Sequence, residues 1–270
     1  MTIWGVRLSE DERDAYERDG YVVRTDVFSA DEVSGLRDVV EHVAARVKAR
    51  ARRDGAGPEA TMEDGHRIQF SSRAAVQWEW REGSEEIRLI EPVSHLDERL
   101  AGLFDDLRLS EPMRDAIGAA ELGAFTSKLN LKRGSEGSEF PFHQDYPYWY
   151  VACGKDAADI ATAMIFLDDS SAANGALRVL PGSHAGGPAP RDPDDPTRFL
   201  ADPKRLATDC ERTVEVPAGS VVLFGSYLVH RSSPNASGSD RRALLYSFQP
   251  AGRPRLHDLE YRRELVEELP

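Results

Sequence analysis

Cysteine is scarce in this sequence of 270 residues, where only Cys153 and Cys210 are present. Their spacing matches no metal-binding motif, and two cysteines are too few for a disulfide scaffold. The sequence also lacks a run of the roughly 18 apolar residues that a membrane helix requires. The N-terminus shows no basic region followed by an apolar stretch, as an export signal would. We therefore expect a cytoplasmic protein without a membrane partner.

Positive charge is also in short supply, because 34 Lys and Arg residues stand against 47 Asp and Glu residues, a formal net charge of −13. A chain that binds along a phosphate backbone needs the opposite balance, so nucleic acid is not an expected partner. A small-molecule substrate is the remaining expectation. The length suits a single domain spanning residues 1–270, since β-barrels and sandwiches commonly reach about 200–250 residues as one unit. No pattern indicates the oligomeric state.

The first part of the chain carries helix signals. Two S-x-x-E capping boxes, at 9–12 and at 29–32, predict helix starts. A third helical stretch is predicted from about 94 to 120, with a break or a fresh helix start at Glu111-Pro112 because proline cannot donate a backbone hydrogen bond. Residues 1–120 are therefore expected to form a mostly helical support.

From about residue 121 onward the signals are those of strands, since short apolar runs alternate with turn residues. The predicted strands are 125–131, the region around His143, 160–167, 177–180, 213–216, 221–224 and 243–248, with an earlier short one at 21–23. Asn174-Gly175 predicts a type I′ hairpin turn. Helices followed by strands indicate a β-rich core over residues 121–250, buttressed by helices, with 251–270 as a tail. Residues 184–209 either cover a functional site or form a surface excursion.

Two histidines and one aspartate are candidate metal ligands. His143 and Asp145 lie in an aromatic run with β-propensity, and positions two apart in a strand share a face, so both could bind one ion. A later histidine, His230, would complete a 2-His-1-carboxylate triad, which leaves open coordination positions on Fe(II). The similar pair at 95–97 lies in a helical pattern, where such positions diverge. Taken singly, His143 is also explained as a hydrogen-bonded barrel histidine and His230 as a surface one.

Four sequence elements in a fixed order carry a resemblance to a known family. They are Asp19-Gly20-Tyr21-Val22-Val23, His143-Gln144-Asp145, the segment from Asn174 to His184, and the segment from His230 to Asn235 that runs into Arg241. Together they span most of the chain, and they resemble the phytanoyl-CoA dioxygenase family, the non-haem iron, 2-oxoglutarate-dependent oxygenases that include the ectoine hydroxylases. The resemblance implies a double-stranded β-helix, or jelly roll. It further implies Fe(II) bound by the three ligand candidates, with 2-oxoglutarate and O2 as cosubstrates.

The activity that the resemblance implies is hydroxylation of an unactivated C–H bond of a small metabolite, with release of succinate and CO2. Asp145 favours oxygenation over halogenation, because related halogenases have a small residue at that position. Desaturation, epimerisation and ring closure begin with the same hydrogen abstraction and remain open. A jelly-roll protein that binds a metal or a ligand without oxygenase activity is the alternative from another class.

Further residues are candidates for binding the cosubstrate. Arg241 begins an apolar strand, where its fork of donors could bind a carboxylate bidentately, and the resemblance implies this role at the far carboxylate of 2-oxoglutarate. Arg242 would face the opposite side of the strand. Lys132 or Asn130, on the strand before the metal element, could also contact the cosubstrate, as could Thr162. Alternating polar residues on a half-exposed strand are the plainer explanation for these three.

Aromatic residues directly after the metal element are expected to line the substrate pocket. They are Tyr146, Tyr148 and Trp149, and aromatic side chains offer apolar contact together with a polar group. Gln144, between two ligand candidates, is expected to face the other way and to serve as a packing or hydrogen-bonding residue. His184 is expected to be structural, since the triad is complete without it.

Overall fold

The computed structural model describes residues 6–54, 59–61, 66–70, 74–79, 84–195, 197–262 and 264–269. Its helices are α1 Glu10–Asp19, α2 Ala30–Asp54, α3 Glu98–Gly102, α4 Leu107–Ile117, α5 Asp145–Cys153 and α6 Glu264–Glu268. Its strands are β1 Tyr21–Arg24, β2 Glu59–Thr61, β3 Arg67–Phe70, β4 Ala75–Trp78, β5 Ile87–Glu91, β6 Leu122–Lys132, β7 Phe140–His143, β8 Ala161–Phe166, β9 Leu177–Val179, β10 Arg212–Val214, β11 Val221–Gly225, β12 His230–Ser232 and β13 Arg241–Pro250. In this part of the chain, no helix has the length and apolar composition needed to cross a membrane.

Two antiparallel sheets form the centre of the fold. The larger has the strand order β1-β11-β8-β13-β6-β5-β4-β3-β2, and the smaller has the order β10-β9-β12-β7. Apolar side chains from both sheets meet in one core cluster, which includes Met164, Leu177, Val179, Phe224 and Leu245. The predicted mainly-β fold with flanking helices, a jelly roll, is therefore confirmed.

Helices cover the outer face of the larger sheet. The two predicted capping boxes are present: Ser9 Oγ accepts from the Glu12 amide at 3.2 Å, and the amide of Ser29 donates to the carboxylate of Glu32 at 2.8 Å. In α2, apolar residues at helical spacing form a buried stripe that packs against the sheet, as the periodicity predicts. The stripe comprises Val33, Leu36, Val39, Val40 and Val43.

The predicted helical stretch from 94 to 120 is divided in a different place. It consists of a 3-10 turn at 94–96, then α3 and α4, and the interruption falls between Gly102 and Leu107. Pro112 lies inside α4, so the predicted break at this proline is wrong. Asp106 decides the boundary instead, because its carboxylate accepts from the Arg108 amide at 2.9 Å and caps a new helix.

Two other local predictions also need correction. Residues 1–120 are less helical than expected, because β2 to β5 extend the larger sheet; these strands are short and gave little alternation. The type I′ turn at Asn174-Gly175 is absent, and residues 172–174 form a 3-10 turn that ends at Gly175 with φ of 80°. The side chain of Asn174 explains the change, since it accepts from the Ser171 amide at 2.9 Å and donates to the Asp169 carbonyl at 2.7 Å.

The C-terminal segment returns to the helix that follows the metal element. The amide of Arg262 donates to the Val151 carbonyl at 2.8 Å. Leu265 and Leu269 pack against the same Val151 side chain. The end of the chain therefore braces α5 from outside the jelly roll.

Candidate metal centre and its cavity

The three predicted ligands come together at one end of the smaller sheet. His143 ends β7 and His230 begins β12, and the two residues are directly paired across these strands. Their ring centroids are 4.2 Å apart. With Asp145 they form a group whose candidate ligand atoms all lie within 4.8 Å of one another. Among the residues that the structure describes, this is the only such group of three or more His, Cys, Asp and Glu side chains.

Asp145 reaches this group by a different route from the one expected. Strand β7 stops at His143, Gln144 remains extended, and Asp145 is the first residue of α5. The prediction of a strand through Asp145 is therefore wrong, although both residues still meet at one site. Proline at the third helical position, Pro147, is compatible with a first turn because that turn needs no amide donor there. The Tyr146 amide instead donates to the Ser226 carbonyl at 3.1 Å.

Hydrogen bonds fix the tautomers of both histidines. Nδ1 of His143 lies 2.7 Å from the Pro141 carbonyl, and Nδ1 of His230 lies 2.9 Å from the Leu228 carbonyl. A carbonyl only accepts, so each Nδ1 carries the proton and each Nε2 keeps a lone pair for a metal ion. Burial, reinforced by the neighbouring His230, lowers the pKa of His143 well below its usual range. The site thus offers neutral imidazole and carboxylate, the donor set of a facial triad.

A buried arginine lines the same cavity as the three candidate ligands. Arg241, the first residue of β13, is 1% exposed, and its Nε and Nη1 have no hydrogen-bond partner. Burial lowers the pKa of Arg241 to about 10, so the guanidinium is still charged at neutral pH. Its neighbour Arg242 faces the helices and bonds to Asp168 at 2.7 Å and to Glu41 at 2.9 Å. Unpaired buried donors are costly, which makes Arg241 a ready carboxylate site.

Two side chains of β6 line the cavity with Arg241. One is the predicted Asn130, whose Oδ1 is buried and unpartnered. The other is Lys128, which the sequence interpretation passed over although it alternates with Asn130 on one face. Burial alone would lower the pKa of Lys128, but the carboxylates of Glu91, 3.8 Å away, and Asp145 outweigh it and raise the pKa. The cavity therefore holds two cationic side chains of β6 and β13 near the metal ligands.

The rest of the cavity wall is mostly apolar. The remaining lining residues are Leu89, Phe140, Met164, Leu177, Phe224, Arg231, Ser232 and Leu245. Two predicted cosubstrate contacts are not among them. The hydroxyl of Thr162 is hydrogen-bonded to Ser247 Oγ at 2.8 Å, and Lys132 Nζ donates to the carbonyls of Ser138 and Ser233.

The three predicted aromatic residues separate because α5 is a helix and not a strand. Tyr148 is half exposed and meets His143 edge-on, with ring centroids 5.8 Å apart. Tyr146 and Trp149 are buried in a core cluster on the other side of α5. Trp149 still approaches the cavity, because the Nζ of Lys128 lies 5.7 Å from the centre of its ring.

The described residues of the segment 184–209 pack along the strand that ends in His143. Its anchor is the buried side chain of Gln144, whose Nε2 donates to the carbonyls of Gly187 at 2.9 Å and Tyr227 at 2.6 Å. The Ala189 amide donates back to Gln144 Oε1 at 2.8 Å. Further along, Leu200 pairs with His143 in an isolated bridge. These contacts hold the described residues of this segment, called the cover below, against the strand that ends in His143.

Replacing Gln144 with alanine is expected to release this cover. Three hydrogen bonds would be lost in a buried position, at a cost of about 2–3 kcal/mol in the free energy of unfolding. Trypsin should then cut faster after Arg191 or Arg198. Gln249→Ala is the matched control, since Gln249 is equally buried and donates to three carbonyls away from the cover. Equal cleavage of both variants at these two sites would show that Gln144 does not hold the cover.

Several known proteins are similar to this chain in sequence and in fold. Residues 16–243 match the model of the phytanoyl-CoA dioxygenase (PhyH) family. The chain is 32% identical to the ectoine dioxygenase of Bordetella parapertussis over 244 residues, which cover 85% of the chain and 71% of the relative. It is 30% identical to the L-proline trans-4-hydroxylase of Streptomyces griseoviridis over 251 residues, covering 86% and 83%. The crystal structure of EctD from S. alaskensis with 2-oxoglutarate and 5-hydroxyectoine is similar with a TM-score of 0.68 and 26% identity, covering 95% of this chain and 80% of that one.

Proposed function

This chain belongs to the phytanoyl-CoA dioxygenase family, and we propose on that premise that it is an Fe(II)- and 2-oxoglutarate-dependent dioxygenase that hydroxylates a small metabolite. His143, Asp145 and His230 hold the iron. Two imidazole Nε2 atoms with free lone pairs and one carboxylate are the donors that such a site requires. The candidate ligand atoms of these three residues lie within 4.8 Å of one another, which supports this assignment.

The observation that carries the proposal is the buried guanidinium of Arg241, whose Nε and Nη1 have no hydrogen-bond partner. An arginine that is 1% exposed and has two nitrogens without acceptors destabilises the fold unless a ligand accepts hydrogen bonds from them. The distal carboxylate of 2-oxoglutarate is such a ligand, because a planar carboxylate accepts two parallel bonds from the guanidinium fork. The EctD structure with bound 2-oxoglutarate supports the same choice of cosubstrate.

Iron with bound 2-oxoglutarate and O2 supplies the oxidation of an unactivated C–H bond, with release of succinate and CO2. The chain contributes positioning and exclusion of water. Arg241 orients the cosubstrate from the β13 side, and the apolar wall around Phe140 and Phe224 keeps the cavity dry. Asp145 fills a ligand position with a carboxylate, which favours oxygen transfer over halogenation.

The substrate is proposed to be a compact metabolite that bears a carboxylate. The named substrates of the two relatives, ectoine and L-proline, are both small cyclic nitrogen-containing carboxylates. Of the other cationic side chains that line the cavity, Arg231 is already paired with Glu211, whereas Lys128 lies near the ligand candidate Asp145. We assign it to the carboxylate of the substrate, since Arg241 serves the cosubstrate.

Lys128→Met is therefore expected to weaken the response to substrate. With ectoine and L-proline as probes, whichever of the two stimulates 2-oxoglutarate consumption by the wild type should need an about 10- to 100-fold higher concentration in the variant, the loss of one charged hydrogen bond. The KM for 2-oxoglutarate should stay near the wild-type value. Lys155→Met, on the surface beyond α5, is the control. A rise in the KM for 2-oxoglutarate instead would reassign Lys128 to the cosubstrate.

The proposed function is tested by anaerobic titration of the metal-free protein with Fe(II) and then 2-oxoglutarate. A visible charge-transfer band from the iron–cosubstrate complex is expected, because the cosubstrate binds directly to the metal. The band should be absent in His143→Ala, which removes a ligand. A folded, iron-loaded wild type without the band would favour a jelly-roll binding protein that lacks oxygenase activity.

The compartment is also proposed. Cys153 and Cys210 are both unpaired thiols, which suits a reducing cytoplasm. Burial raises the pKa of Cys153 to about 11, so this thiol is protonated at neutral pH and unreactive.

A further inference from the structure

Lys132 has a place in the fold that the proposed chemistry does not use. Its side chain is 1% exposed at the end of β6, and Nζ donates to the Ser138 carbonyl and, at 2.7 Å, to the Ser233 carbonyl. Ser138 lies two residues before β7, and Ser233 directly follows β12. One amino group therefore joins the two chain segments that lead to and from the histidine strands.

These two strands share few backbone pairings. β7 and β12 share only two paired positions, His143 with His230 and Phe140 with Ser232, and the register shifts between them. β7 is also an outer strand of the smaller sheet. A ladder this short fixes the separation of its strands weakly. Lys132 closes the ladder at the end opposite to the histidines.

Ser138 is held at each of its polar groups. Its amide donates to the carboxylate of Glu79 at 3.2 Å, its hydroxyl is hydrogen-bonded to Nε2 of His66 at 3.0 Å, and its carbonyl accepts from Lys132. All four side chains are buried. The entry to β7 is thus fixed by groups from β6 and from the segments around β3 and β4.

The other side of the contact is equally tight. A Cβ atom at Gly175 would lie 2.5 Å from the Ser233 carbonyl oxygen and 3.0 Å from Cδ of Lys132. Asn235 donates to the backbone carbonyl of Lys132 at 3.0 Å. Burial and the positive charges of Arg241 and Arg88 lower the pKa of Lys132 to about 6. A neutral amine has two N–H groups, which matches the two carbonyls.

We propose that Lys132 is a positioning residue of the metal centre, which sets the separation of β7 and β12 and thereby of His143 and His230. It does so without contact to metal, cosubstrate or substrate. The inference rests on the proposed function in one respect, the use of these histidines as metal ligands. Mutation of the residues that support metal ligands typically weakens metal binding by about 10- to 100-fold.

The test compares Lys132→Met with Arg133→Met. Methionine keeps the length of the lysine stem and removes both N–H donors. Arg133 is the next residue, faces the helices, and pairs with Glu41 and Asp240, each at 2.7 Å. Its replacement should lower stability without reaching the histidines. Co(II) titration of both folded variants, followed by visible absorption, reports affinity and ligand geometry apart from turnover.

Lys132→Met is expected to bind Co(II) about tenfold more weakly, with an altered visible spectrum, whereas Arg133→Met keeps both. Lys132→Gln is the milder variant should Lys132→Met not fold; its side chain is one bond shorter than that of lysine and cannot reach both carbonyls, so a loss in the same direction is expected. Wild-type affinity and spectrum in a folded Lys132 variant, or an equal loss in Arg133→Met, would overturn the positioning role alone. Absence of Co(II) binding by the wild type would overturn the proposed metal centre as well.

Discussion

Replacing Asp145 with alanine is expected to abolish turnover and to weaken Fe(II) binding by at least about 100-fold. The site has a single carboxylate, and its loss leaves two neutral imidazoles to hold a dication. Changes to supporting residues alone cost about 10- to 100-fold in metal affinity, so loss of a ligand exceeds that range. The positive charge of Lys128 would also lose a nearby carboxylate that raises its pKa. Fe(II) titration and 2-oxoglutarate consumption measure the two effects.

The control for this change is Asp156→Ala. Asp156 has the same charge, lies just beyond α5, and its side chain is 56% exposed. Both variants alter the net charge equally, so only the loss of a metal ligand separates them. Wild-type iron affinity in Asp145→Ala would show that Asp145 is not a metal ligand.

Arg241→Met is expected to raise the KM for 2-oxoglutarate by about 100- to 1,000-fold, since truncating one partner of a buried charged pair costs about 2–5 kcal/mol. The same change should stabilise the ligand-free protein, because methionine removes a buried charge with two unpartnered nitrogens. Weaker binding of 2-oxoglutarate together with higher stability distinguishes a ligand-binding residue from a structural one, because loss of a structural residue would lower stability. Steady-state kinetics and thermal unfolding of the ligand-free protein measure them.

Arg242→Met provides the matched comparison at the next position. Its guanidinium already has partners in Asp168 and Glu41. Stability should fall in this variant while the KM for 2-oxoglutarate stays near that of the wild type. If Arg241→Met destabilised the protein and left the KM unchanged, the cosubstrate role would be refuted.

The sequence predicted those parts of the site that depend on local pattern. The aromatic run around His143 identified β7, and the period of two along β13 separated Arg241 from Arg242. The short strand β12 at His230 was not predicted. The jelly roll followed from the order of strand signals together with the family resemblance. These features require only neighbouring residues for their interpretation.

The parts that were missed depend on contacts between distant segments. Asp145 begins a helix because the Tyr146 amide bonds to Ser226, 80 residues later. Tyr146 and Trp149 therefore turn into the core instead of lining the pocket. The role of Lys132 depends on carbonyls that lie six and 101 residues further along. Side chains of lysine at alternate positions look alike in a sequence, so Lys128 and Lys132 could not be told apart.

The adjacent arginines at the start of β13 also bear on which changes the gene can tolerate. Deleting or inserting one residue there would exchange their faces, which would send Arg242 into the cavity and remove its ion pair with Asp168. Point substitutions in this strand can weaken cosubstrate binding or stability by different amounts. A change in its length would remove both the cosubstrate contact of Arg241 and the ion pair of Arg242 at once. Variant libraries made to alter specificity should therefore substitute side chains between Arg242 and Pro250 and keep the length of this strand constant.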